Sequence, residues 1–79
     1  METIKLDHPV TVNHEKVTEL KLRRPTVLDM LAADEVQGSD AKKEIRMFCN
    51  LCEVAPEVIH ALDIADYGKL QKAYQSFLS

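Results

Sequence analysis

The hydrophobic repeat of this chain changes period once, at Arg23-Arg24-Pro25-Thr26, and that change constrains the fold more than any other feature. Before it, apolar residues recur every second position, which is the spacing of a strand with one buried face. After it they recur at helical spacing. Pro25 makes the change abrupt, because it lacks an N–H and disfavours the helical region for Arg24. Everything up to Leu22 is therefore expected to be sheet, and everything from Thr26 onward helix.

In the first part, Ile4, Leu6, Val10 and Val12 share one face of a strand over residues 3–12. Pro9 cannot donate to a ladder, so this strand is expected at an edge or broken there. Asn13-His14-Glu15-Lys16 reads as a turn, with Asn13 tolerant of positive φ and His14 more tolerant than most. In Val17–Leu22, Leu20 and Leu22 alternate with Glu19 and Lys21. Two alternating runs around a short polar turn predict a β-hairpin over residues 3–22. An isolated hairpin is barely stable in water, so its apolar face must lie on helices or on another copy.

The second part, residues 26–78, divides into three to four short helices. Thr26 is a good N-cap with Asp29 at the N3 position, and Val27, Leu28, Met30, Leu31 and Val36 are expected to form the buried face of two to three turns. Gly38 ends that helix, and Ser39 or Asp40 caps the next, over about residues 40–54, with Ala41, Ile45, Phe48, Cys49 and Cys52 as its stripe. Pro56 opens a short helix to about His60 or Ala61. Asp63 caps the last helix, with Asp66 at N3 and an apolar face of Tyr67, Leu70, Tyr74, Phe77 and Leu78. The expected fold is α+β, one domain over residues 1–79.

Seventy-nine residues with 46% hydrophobic, 5% aromatic and no Trp imply a small aliphatic core. A chain this short buries only about 60–65% of its unfolded surface, which favours a partner or a homo-oligomer. Ten Lys and Arg against thirteen acids, net −3, argue against nucleic acid. The longest apolar runs, such as Met30–Ala33, are far short of the roughly 20 residues that span a bilayer, and the start has no signal-peptide pattern. The expectation is a soluble intracellular protein with both cysteines as thiols.

Catalytic patterns are missing from this sequence. Cys49-x-x-Cys52 lies deep in a helix rather than at its N-terminus, so core packing outweighs redox or metal chemistry. His8, His14 and His60 fall in three different elements. Gly38 and Gly68 are the only glycines, which leaves no phosphate loop, and no serine has a nucleophile-elbow setting. No cofactor is expected. Lys21, Arg23 and Arg24 read as a solvated strand end that protects an edge, or as an ionic contact to a partner. The apolar end of the last helix is either core or a surface left for a partner.

The order of these elements resembles a known family. "TIKLDHPVTV" with its proline, "VTELKLRRPTVLDML" with hydrophobic–Arg–x–Pro–x–x–x–Asp, and "LCEVAPEVIHALDIADYGKLQKAYQSFL" are collinear, over about residues 3–78, with the tail assembly chaperones of Mu-like, contractile-tailed bacteriophages. His14 departs from the pattern, since family members commonly carry a turn glycine there. The resemblance implies a non-enzymatic chaperone that holds the tape-measure protein in the host cytoplasm and is absent from the finished tail. A longer form made by ribosomal frameshifting is often found in such families. The implied partners are the tape-measure protein and, second to it, the tail-tube protein. The surface expected to meet a helical partner consists of Val58, Ile59, Leu62, Tyr74, Phe77 and Leu78, with Arg23 and Arg24 as ionic contacts. The other readings are a self-assembling structural subunit and a small Cys-x-x-Cys redox or metal protein.

Overall fold

The computed structural model describes all residues, 1–79. Strands β1 (Glu2–Val12) and β2 (Glu15–Leu22) form an antiparallel hairpin, followed by α1 (Val27–Asp34), α2 (Asp40–Cys52), α3 (Pro56–Ala61) and α4 (Ile64–Phe77). The α+β expectation holds, with a two-stranded hairpin followed by four helices. The hairpin turn is tighter than expected. Only Asn13 and His14 lie outside the strands, and both have positive φ, 52° and 68°. Two left-handed central residues mark a type I′ turn, the form whose twist matches its strands. His14 therefore occupies a conformation that glycine would adopt without strain.

Pro9 breaks the ladder as its chemistry requires. Lys5 pairs with Glu19 and Val10 with Val17, so residues 6–9 of β1 stand opposite Thr18 alone. This bulge frees the N–H groups of Asp7 and His8, which donate to the two carboxylate oxygens of Asp66 at 3.0 Å each. Lys69, one turn further along α4, reaches the Lys5 carbonyl at 2.9 Å and pairs with Asp7 and Asp66. Asp66 is completely buried. Its expected role as a helix-cap partner is thus replaced by a long-range one. The Asp63 side chain, accepting from Ala65 N–H, caps α4 without it.

The core lies between the hairpin's inner face and the helices. Ile4, Leu6, Leu20 and Leu22 meet Met47, Phe48, Cys49 and Leu51 of α2, Val58 and Ile59 of α3, and Leu70 and Ala73 of α4. Phe48 is its centre, edge-on to Tyr67 at 5.5 Å and to Tyr74 at 6.1 Å between centroids. Such aromatic pairs contribute about 0.5–1.5 kcal/mol beyond the area they bury. Helix α2 stops two residues before its expected end. Glu53 turns left-handed, and the Val54 N–H returns to the Cys49 carbonyl. Helices α3 and α4 pack on β1 and α2 packs on β2, whereas the chief neighbour of α1 is α2. Helix α1 therefore sits at the margin of the core and adds a single apolar side chain, Ala33, to it.

Candidate interaction surface

Helix α1 is rotated the opposite way from its expected orientation. Its buried residues are Asp29 and Ala33. Val27, Leu28, Met30 and Leu31, expected inside, are 70%, 74%, 55% and 52% exposed. The cause is local chemistry at the strand-to-helix corner. Arg23 grips the Asp29 carboxylate with two nitrogens, at 2.7 and 2.8 Å, and the Thr26 N–H and hydroxyl donate to the same carboxylate at 2.9 and 3.0 Å. Four charge-assisted or capping bonds pull the Asp29 side inward, and the opposite side faces water. The Arg23 N–H also donates to the Leu51 carbonyl at 3.1 Å, which ties the corner to α2. The bidentate Arg23 contact, with the Thr26 donors behind it, holds the Asp29 carboxyl well below the usual carboxylate range.

The exposed face continues beyond α1. A hollow of about 260 Å³ separates it from α2 and α4, with Met30, Ala33, Met47, Phe48 and Tyr74 as apolar walls. Asp34, Lys43 and Glu44 supply its charge. Beside the corner, the Arg24 guanidinium lies over the Phe77 ring, 5.7 Å from its centroid, and joins the start of α1 to the last turn of α4. Leu78, just past that turn, is 60% exposed. A contiguous apolar surface of about 300–600 Å² is as large as monomers ordinarily leave in water, and such patches are often functional.

Not every residue expected to meet a partner is exposed. Val58 and Ile59 are core residues, 8% and 3% exposed, and cannot touch a partner without unfolding α3. Their apolar spacing was read correctly, but β1 lies on that face. The Arg23 guanidinium is committed to Asp29. Leu62 is half-buried and lines a separate hollow with Ile64, between α2, α3 and α4. Tyr74 shares the hollow with Met30, Arg24 and Phe77 stack beside the start of α1, and Leu78 follows the last turn of α4. The four α1 residues were missed as surface residues. The signal available was Asp29 at N3 with two arginines just upstream, a pairing that would turn the helix round.

Elsewhere the titratable groups serve packing. Burial pushes the thiols of Cys49 and Cys52 up, Cys52 to about 11, the reverse of an activated nucleophile. Burial, followed by the hydrogen bond to Glu44, raises Tyr67, and Glu44 also accepts from Gln71. No helix is long and apolar enough to cross a membrane.

The structure defines a hairpin-backed helical domain that turns an apolar helix face to solvent. The sequence places it more narrowly. Residues 3–79 match the family model described as phage tail assembly chaperone proteins, E, or 41 or 14, and the chain belongs to that family. No curated protein and no solved structure matches it.

Proposed function

We propose that this tail assembly chaperone holds the tape-measure protein during tail assembly, and does so by binding rather than by catalysis. The contact surface in this reading is the outward face of α1, Val27, Leu28, Met30 and Leu31, extended by Tyr74, Phe77 and Leu78 beside Arg24. The observation that carries it is the inverted amphipathicity of α1, which leaves four large apolar side chains in water while an aspartate is buried. A long helical client exposes apolar stripes until a tube encloses it, and a convex apolar helix flanked by a hollow can mask them by helix-on-helix contact. The tail-tube protein is the second candidate client. The site of action is the host cytoplasm, before the tail is complete.

The test is co-expression with the tape-measure protein. Leu28→Lys with Leu31→Glu should abolish co-purification, and Leu78→Glu should weaken it, while circular dichroism and the unfolding midpoint stay close to those of the parent. Undiminished co-purification by folded variants would remove this surface from the account.

A further inference from the structure

The two ends of the α1 face carry opposite charge. Arg24 precedes the helix, stacks on Phe77 and makes no ion pair within the chain. At the other end stand Asp34, whose side chain is 80% exposed with only a 3.8 Å contact to Lys43, and Glu35, which is exposed and unpaired. Between them lie Val27, Leu28, Met30 and Leu31 along a helix of eight residues, about 12 Å at 1.5 Å per residue. A basic end, an apolar middle and an acidic end make this surface complementary to itself in one orientation. Two copies related by a two-fold axis across the middle of α1 place Arg24 of each beside Asp34 and Glu35 of the other. A parallel pairing would set like against like.

We infer that in the free protein a second copy of this chain covers the α1 face, in an antiparallel α1–α1 pair closed by Arg24 against Asp34 and Glu35. The contact is isologous, as two-fold dimers require. It is also small. A strip about 12 Å long and about 10 Å wide on each partner falls below the roughly 1,200 Å² total of standard stable interfaces, so the pair is weak and exchangeable. Its consequence for function, which rests on the reading of α1 as the client surface, is that the chaperone masks its own apolar helix until a client helix displaces the second copy. A 79-residue chain that left this face bare would be prone to nonspecific association.

Sedimentation equilibrium of the chain alone, over a wide concentration series, tests the pairing without any client. A reversible monomer–dimer equilibrium in the micromolar range is expected, and it should weaken as salt screens the end charges. Leu31→Glu should leave only monomer. Arg24→Glu alone, or Asp34→Lys with Glu35→Lys alone, should raise the dissociation constant at least tenfold. Combining the swaps in one chain should restore it to within about threefold. Circular dichroism confirms the fold of each variant, and the charge swaps lie wholly on the surface. The inference is overturned by a monomer at every concentration, by a dimer indifferent to Leu31→Glu, or by swaps that do not rescue one another. If the dimer forms but tape-measure protein neither binds nor dissociates it, the self-pairing stands and the client reading fails.

Discussion

Replacing Asp29 by asparagine removes the charge that Arg23 holds from two sides, and replacing Asp66 removes the acceptor for the β1 bulge. Burial pushes the Asp66 carboxyl up, but the Asp7 and His8 N–H donors and Lys69 outweigh it, so both aspartates ionise below their ordinary range. A carboxylate with a depressed folded pKa stabilises above its unfolded value, near 3.9, and that contribution disappears as pH falls toward the folded value. Thermal unfolding should therefore drop steeply between about pH 5 and pH 2, and a shallower slope is expected in Asp29→Asn and Asp66→Asn. At neutral pH each variant should melt roughly 5 °C or more below the parent. His14→Gly tests the turn. It relieves a left-handed φ but adds unfolded-chain entropy, so a net gain of about 0.5 kcal/mol in urea unfolding is expected. At this scale the sequence was legible where partners are close. Thr26 and Asp29 declared themselves as a cap, whereas the backbone N–H donors to Asp66 lie 58 and 59 residues away and left no local trace.

Among the elements, α1 separates what periodicity can tell from what it cannot. Its apolar residues cover roughly half the circumference at 100° per residue, and spacing alone says only that this half is apolar. Which half faces inward was decided by the bonds to Asp29 and by the position of α1 at the margin of the core. If the outward assignment is right, Leu31→Gln should change unfolding free energy by less than about 0.5 kcal/mol, as surface substitutions do. Phe48→Ala should cost about 3–5 kcal/mol, because it empties the centre of the aromatic cluster. A cost for Leu31→Gln approaching that of Phe48→Ala would mean the helix packs the other way. The hairpin and the remaining helices were readable because alternation, Pro9, Pro56 and the caps at Ser39 and Asp63 mark their ends in sequence. The early stop of α2 depends on a left-handed Glu53, which no residue preference announces.

For the whole molecule, the fold class followed from the single change of period, and the family match over residues 3–79 agrees with the resemblance in element order. The proposed contact surface was only partly legible, because it is defined by what the fold leaves uncovered. Val58 and Ile59 were lost to the core once β1 lay across α3, and Val27, Leu28, Met30 and Leu31 were gained because nothing lies across α1. The central claim is that α1 is the face presented to the client. Methyl-labelled protein titrated with a helical tape-measure fragment tests it most directly. The account predicts that the methyl signals of Val27, Leu28, Met30, Leu31 and Leu78 shift or broaden while those of Leu22 and Leu70 stay in place. Shifts confined to Leu62 and Ile64, or to the hairpin, with the α1 methyls unmoved, would contradict it.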